Sequence, residues 1–157
     1  MTSQEFQSTL AQKKAFLELP LEDKKLLSQK VYNLIGVIQS VHNDLGPGLP
    51  EYIYQEALTI ALTDAGFVVH KELQVHPIFR DKELISYIKM DLVVELPDGN
   101  VIIECKAMTS MGDREHYQLF GYLRATKFPI GILANFGTHP KATIERYHFL
   151  NGLIYAF

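Results

Sequence analysis

The sequence KMDLVVELPDGNVIIECK, from Lys89 to Lys106, predicts two β-strands joined by a tight turn over Pro97 to Asn100. Residues 98–99 are Asp-Gly, and this pair between two apolar runs is a strong signal for a β-hairpin. Side chains alternate between the two faces of a strand, so Glu104 and Lys106 share a face. Asp91 belongs to the first strand. The hairpin therefore carries two carboxylates and an ammonium in runs whose other side chains are mostly apolar.

Two interpretations fit these three charged residues. A charge in an apolar run is costly unless it is paired or bound to a metal, so the group could hold a divalent cation with a lysine beside it. Alternatively, Asp91, Glu104 and Lys106 could form a cross-strand ladder of ion pairs on a solvated face of the sheet. The hairpin alone leaves both interpretations open.

The composition indicates one soluble globular domain over residues 1–157, with 47% apolar and 21% charged residues. A single cysteine, Cys105, excludes a disulfide framework and a cysteine-based zinc site, and it fits a reducing cytoplasm. No apolar run reaches transmembrane length, so no membrane association is expected. The net charge of −3 argues against a large nucleic-acid-coating surface but is compatible with a local basic groove around an acidic metal site.

Apolar side chains at three- and four-residue spacing predict helices along much of the chain. Pro20 separates a short N-terminal helix from a longer one, and Gly46-Pro47-Gly48 ends the longer helix. The predicted helices are an N-terminal extension over 1–20, Leu21 to Leu45, Glu51 to Ala65 and Asp113 to Lys127.

The remaining apolar segments predict strands. Phe67 to Phe79 is extended, Arg80 to Glu83 is a charged turn, and Leu84 to Ile88 leads back into the opening hairpin as an antiparallel meander. Residues 130–136, IGILANF, are a nearly continuous apolar run after the predicted helix at 113–127, which is typical of a parallel strand covered on both faces. A second hairpin is predicted over 144–157. The fold class is therefore α/β, with a mixed central sheet flanked by helices.

The helices contribute further candidate residues. Glu51 lies in a first helical turn, where it either complements the helix dipole or supplies a third carboxylate to the strand pair. His42 lies near the C-terminal end of a helix. Its side chain either interacts with that helix end or points into the site. Gln118 and Tyr122 are four residues apart and project together, either towards the site or as ordinary edge residues of an amphipathic helix.

Taken in order, these residues resemble the PD-(D/E)XK nuclease superfamily. Asp91 followed across a hairpin by Glu104-Cys105-Lys106 is similar to the superfamily motif, and Gln118-x-x-x-Tyr122 resembles the QxxxY element of its RecB-like branch. The stretch Val41 to Tyr54 resembles the signature of the GxxExxY proteins, a branch of the same superfamily: the three named positions are Gly48, Glu51 and Tyr54. The resemblance covers about residues 30–148, and it implies a restriction-endonuclease-like core there.

The resemblance implies hydrolysis of nucleic-acid phosphodiester bonds, with DNA as the expected substrate and Mg²⁺ or Mn²⁺ as the cofactor. It implies three groups of site residues. The metal ligands would be Glu51, Asp91, Glu104 and the backbone carbonyl of Cys105. The catalytic residues would be Lys106, Gln118 and Tyr122. Residues supporting them would be His42, Tyr54, Lys89 and His116.

Two other functions stay open at this stage. The chain could be a module that keeps the fold and has lost catalytic turnover, binding nucleic acid or protein. It could also be a structural or interaction domain, a homodimer through the N-terminal helices, in which the charges merely pair. Metal binding and the effect of replacing Glu104 would distinguish these functions from a nuclease.

Overall fold

The computed structural model describes residues 19–157, which form a six-stranded mixed sheet with helices on both faces. The predicted N-terminal helix lies almost entirely outside this range. The helices are α1 (Leu21–Leu45), α2 (Glu51–Asp64) and α3 (Asp113–Thr126). None of the helices in the described range has the length and the apolar character needed to cross a membrane.

The main sheet has the spatial order β1-β4-β5-β6-β7-β8. Its strands are β1 (Val68–Val75), β4 (Ile88–Leu96), β5 (Gly99–Lys106), β6 (Ile130–Asn135), β7 (Thr143–Leu150) and β8 (Leu153–Ala156). Two short strands, β2 (Ile78–Phe79) and β3 (Lys82–Glu83), form a separate hairpin. β5 and β6 are parallel across the α3 crossover, and the other neighbouring pairs are antiparallel. The predicted fold class is confirmed.

The sheet separates two apolar clusters. In β5, Val101, Ile103 and Cys105 pack on the side of α1 and α2, whereas Ile102 packs on the side of α3. This is the alternation that a two-residue repeat dictates. Glu104 and Lys106 have the same parity as Ile102, so they belong to the α3 face.

The alternation fails at Asp91. Met90 packs in the cluster beneath α3, yet Leu92 packs in the cluster beneath α1 and α2. Two residues separated by one position in a regular strand would share a face. The neighbouring strand changes at the same level, since Glu72 of β1 has a φ of +55° and is not paired with Asp91 in the ladder. Both strands are irregular at the position of the first candidate carboxylate.

The structure differs from the prediction at the charged turn over 80–83, at the strand predicted after it over 84–88, and at the hairpin turn over 97–100. Leu84 to Tyr87 is not a strand; β3 pairs directly with β2 across the two-residue turn Arg80-Asp81, whose residues have φ values of +50° and +63°. The opening hairpin turns on Pro97-Asp98, and Gly99 is already paired with Leu96. Gly99 has a φ of +135°, and a Cβ there would lie 2.7 Å from Cγ of Pro129. A glycine is therefore needed for conformation and for space.

Candidate active site

Asp91 and Glu104 continue the β4–β5 pairing after the regular ladder has ended. The last pair in the ladder is Leu92 with Ile103. Beyond it the backbone N–H of Asp91 donates to Oε1 of Glu104 at 3.0 Å, and the N–H of Cys105 donates to Oδ2 of Asp91 at 2.9 Å. Each carboxylate thus satisfies a backbone donor of the opposite strand. The two acidic side chains are held side by side by the irregularity at Asp91.

The environment of this pair makes Glu104 a strong proton binder. Its side chain is 2% exposed, and burial, followed by the negative charge of Asp91, raises the pKa of Glu104 to about 8. Lys106 acts in the opposite direction but does not compensate. Two carboxylates in one poorly hydrated place favour either a shared proton or a cation.

Glu51 of α2 lies within the electrostatic reach of the same group. Burial raises its pKa, the charge of Lys106 lowers it, and the charge of Asp91 raises it. The residue is nevertheless largely exposed to solvent. The fold therefore places Glu51 near Asp91 and Lys106, at the solvent side of the site.

Two side chains of α3 complete the group. Nζ of Lys106 donates to Oε1 of Gln118 at 2.7 Å. One turn further, burial and then the negative charge of Glu104 raise the pKa of Tyr122, whereas the Gln118 side chain lowers it. Because helical residues four apart share a face, Gln118 and Tyr122 lie over Glu104 and Lys106 together.

Gln55 is a site residue that the sequence reasoning missed. It is buried in α2 and its Nε2 donates to the backbone carbonyl of Asp91 at 3.3 Å. Gln55 follows Glu51 by four residues, so the helical spacing from Glu51 was a signal that could have identified it. This hydrogen bond ties α2 to the irregular point of β4.

The four residues expected to support the site have other partners. Tyr54 donates its hydroxyl to the carbonyl of Gly46 and stacks on Phe136 at a ring-centroid distance of 4.7 Å. Nε2 of His42 is 2.7 Å from the carbonyl oxygen of Thr138. The structure therefore uses Tyr54 and His42 to hold the loops that flank the sheet.

Lys89 and His116 lie at the margins of the site. Lys89 is exposed and pairs with Gln74 of β1 in the ladder. His116 contacts the carboxylate of Glu145 at 2.9 Å and the carbonyl of Gly112 at 2.8 Å. The hydroxyl of Tyr147 donates to the same Glu145 at 2.8 Å. These contacts join α3 to β7, and only the tertiary structure reveals them.

The loop after Lys106 is held by one buried amide. Oδ1 of Asn135 accepts from the N–H of Met108 at 2.9 Å and from the N–H of Gly137 at 3.0 Å. Its Nδ2 donates to the carbonyl of Met108 at 2.9 Å. Asn135 lies at the end of β6, beside Lys106 in the parallel ladder. It fixes the path of the chain directly after the candidate catalytic lysine.

The donor set is compatible with a hard divalent cation. Among residues 19–157, no three His, Cys, Asp or Glu side chains are arranged so that they could hold a metal ion by themselves. Mg²⁺, however, is usually bound through one or two carboxylates, with waters and substrate phosphates completing its shell. The Asp91–Glu104 pair supplies two carboxylates, and the raised pKa of Glu104 indicates that a nearby positive charge would be favourable.

The fold and the paired carboxylates with their lysine define a nuclease-like domain. A family model of the PD-(D/E)XK nuclease superfamily matches residues 28–147, and the chain belongs to that superfamily. Membership supports a nuclease-type hydrolase, and nucleases of this superfamily generally use divalent metal ions. Comparison with curated proteins gives no match, and neither does comparison with solved structures.

Proposed function

We propose that the chain is a Mg²⁺- or Mn²⁺-dependent nuclease of the GxxExxY type, related to the RecB-like branch, that hydrolyses phosphodiester bonds of DNA in the cytoplasm. The observation that carries this proposal is the reciprocal pair of Asp91 and Glu104, with the ammonium of Lys106 within electrostatic reach of Glu104. Burial and the charge of Asp91 raise the pKa of Glu104 to about 8, so the ionised pair is unfavourable at neutral pH unless a cation lies beside it.

The residues that would hold the ion are Asp91, Glu104 and the backbone carbonyl of Cys105, with the carboxylate of Glu51 from α2 near them at the solvent side. A bound divalent ion would neutralise the phosphate and lower the pKa of a water beside it. The carboxylates must be ionised for this role, so loading the ion would release the proton that burial retains on Glu104.

Lys106 and its partners on α3 would act on the reacting phosphate. The side-chain amide oxygen of Gln118 accepts a hydrogen bond from the ammonium of Lys106 and holds it in one position, which reduces the reorganisation needed when charge develops on the phosphate oxygens. The pKa of Tyr122 is raised, so its phenol stays protonated and remains a hydrogen-bond donor. Lys106 would orient the attacking water or stabilise the negative charge, and Tyr122 would donate to a phosphate oxygen.

The test combines calorimetry with cleavage assays. We expect the wild-type chain to bind Mg²⁺ or Mn²⁺ and to cleave DNA, and Glu104→Gln to lose both. Glu95→Gln is the matched control, because Glu95 is an exposed carboxylate of β4 and pairs with His70 at 2.9 Å. Cleavage that persists in Glu104→Gln, or that disappears equally in Glu95→Gln, would contradict the assignment.

A second function is favoured by one observation. Both carboxylates already accept backbone hydrogen bonds that join β4 to β5, which is a structural role independent of metal. In a catalytically lapsed module Glu104→Gln would lower the melting temperature and change no metal-binding isotherm. Metal binding by the wild-type chain without cleavage of DNA or RNA would indicate a module that binds but does not hydrolyse.

A further inference from the structure

A groove lies between the β2–β3 hairpin and the C-terminal end of α3. Its volume is about 710 Å³, and its walls include His76 and Arg80 on the hairpin side and Arg124 and Lys127 on the helix side. The hairpin leaves the main sheet after the pair Val75–Ile88, so it stands away from the central sheet. The groove is therefore bounded by the hairpin on one side and by the end of α3 on the other.

The charge of this groove is opposite to that of the whole chain. Arg80, Arg124 and Lys127 contribute three positive charges to its walls, and Asp81 contributes one negative charge. The chain as a whole has a net charge of −3. A concave surface with an excess of cations attracts an anion, and it does so locally despite the unfavourable field of the molecule.

Two aromatic side chains near the groove are exposed: Phe79 lies on the hairpin, and Tyr87, which follows it, has its ring centroid 5.8 Å from that of His76 in the groove wall. Phe79 is 57% exposed and Tyr87 is 53% exposed, although aromatic residues of this size are usually covered. The guanidinium of Arg80 lies 5.0 Å from the centroid of the Phe79 ring. Exposed rings next to cations provide the combination that binds single-stranded nucleic acid, since bases stack on rings and phosphates pair with the cations.

The groove and the candidate active site share one face of the sheet. Val75 and Phe128 line the groove and also pack against the apolar cluster beneath α3, on the face to which Glu104 belongs. Thr126 in its wall is four residues beyond Tyr122, which is roughly 6 Å along a helix. Ile88 at the base of the hairpin is three residues from Asp91, which is roughly 10 Å along a strand.

The charge of the groove, the exposed aromatic rings and the nearby candidate active site together indicate what the groove binds. We propose that the groove binds one strand of the nucleic-acid substrate close to the bond that is cut, within a few nucleotides of it. Arg80 and Lys127 contact its phosphates, and Phe79 and Tyr87 stack on its bases. The inference rests on the proposed nuclease function and names the surface that positions the substrate for it.

Binding in EDTA isolates this surface from catalysis. The probe is a fluorescently labelled single-stranded oligodeoxynucleotide, and its anisotropy is followed between 50 and 200 mM salt. The test variant is Arg80→Gln/Lys127→Gln. The control is Lys25→Gln/Lys30→Gln, which removes the same charge from α1, where Lys30 makes an exposed ion pair with Asp98 in the β4–β5 turn. Melting temperatures of both variants establish that they fold.

We expect the groove variant to bind at least tenfold more weakly than the wild type, and the control variant to stay within twofold. The slope of log Kobs against log salt concentration should fall by about 0.7 for each lost phosphate contact, or about 1.4 for the double variant. Phe79→Ser should weaken binding and leave the slope unchanged. Equal binding by the groove variant and the wild type, or equal losses in both double variants, would overturn the inference.

Two further outcomes separate this inference from the proposed function. If the wild-type chain binds through the groove and cleaves nothing in Mg²⁺ or Mn²⁺, the groove stands and the nuclease function fails. If it cleaves DNA and the groove variant binds and cleaves equally well, the function stands and the groove fails. A change of oligomeric state in the groove variant, with DNA binding unchanged, would identify a contact between copies of the chain and overturn the inference.

Discussion

The backbone N–H of Asp91 donates to the buried carboxylate of Glu104 at 3.0 Å, and the carboxylate of Asp91 accepts the N–H of Cys105 at 2.9 Å. The two acidic residues thereby replace ladder hydrogen bonds at the place where β4 and β5 stop pairing regularly. The same contacts that join the strands keep two negative charges adjacent. Because the same two carboxylates join the strands and carry the adjacent charges, the stability of the fold depends on their protonation and on cation binding.

The first prediction concerns the pH dependence of stability without metal. Burial raises the pKa of Glu104 to about 8 from the model-compound value of 4.5, so the folded chain retains a proton that the unfolded chain releases. The stability this confers is complete below pH 4.5 and is lost as the pH rises to about 8. The free energy of unfolding should fall in this window by up to about 1.4 kcal/mol per pH unit, as measured by urea unfolding in EDTA.

The control for that experiment is Glu104→Gln, which cannot titrate. Its free energy of unfolding should vary less between pH 5 and pH 8 than that of the wild type. Mg²⁺ or Mn²⁺ added at pH 8 should stabilise the wild type and leave the variant unchanged. A wild-type profile with the same slope as that of Glu104→Gln between pH 5 and pH 8 would contradict this prediction.

The second prediction concerns Lys106. Lys106→Met keeps most of the side chain and removes the ammonium that Gln118 holds at 2.7 Å. If the proposed function holds, kcat should fall by about 100-fold to 1000-fold while KM changes little, because the lost charge acts mainly on the transition state. Lys25→Met, on the exposed side of α1, should behave like the wild type. A change confined to KM would assign Lys106 to substrate binding instead.

The third prediction compares the effects of replacing two glycines that have different surroundings. Gly99→Ala should destabilise the chain by about 1–3 kcal/mol, because the residue has a φ of +135° and the new Cβ would meet the ring of Pro129. Gly36 lies within α1 with nothing near an added Cβ, so Gly36→Ala should stabilise the chain by about 1 kcal/mol. Urea unfolding of both variants provides the comparison, and effects of equal sign would contradict it.

The fourth prediction concerns the loop after the candidate catalytic lysine. Asn135→Asp places a carboxylate oxygen against the carbonyl of Met108, where the amide now donates at 2.9 Å. Losing this buried hydrogen bond should cost about 1–3 kcal/mol of unfolding free energy. Asn33→Asp on the exposed side of α1 should change it by less than about 0.5 kcal/mol. Equal melting temperatures for Asn135→Asp and the wild type would mean that the loop rearranges without cost.

The residues around Asp91 show which features of the fold sequence patterns can predict and which they cannot. Alternation in β5 correctly assigned Glu104 and Lys106 to the face opposite Cys105, because regular strands impose a period of two. The same rule does not apply at Asp91, where the strand changes face between Met90 and Leu92. An irregularity of this kind depends on the partner strand, here on Glu72 with its positive φ, which lies far away in the sequence.

Sequence patterns also did not predict the polar contacts between residues that are distant in the sequence. Helical spacing placed Gln118 and Tyr122 on one face of α3, but it gave no sign that Glu145 of β7 binds His116. Gln55 was missed, and its helical spacing from Glu51 gives no sign that its amide donates to the carbonyl of Asp91. A hydrogen bond requires two groups within about 3 Å, and that distance is set by how whole elements pack.

The sequence by itself determined these elements and their order: the apolar faces of α1 and α2, the hairpin of β4 and β5, and the buried parallel strand β6 after α3. Local backbone preferences and the periods of the apolar side chains are properties of neighbouring residues, so they can be read without the fold. Only the tertiary structure decided that Asp91 and Glu104 exchange hydrogen bonds, that Gln118 holds Lys106, and that a basic groove lies beyond α3. Burial, charge coupling and concave shape arise between distant segments, and they exist only once the segments have packed.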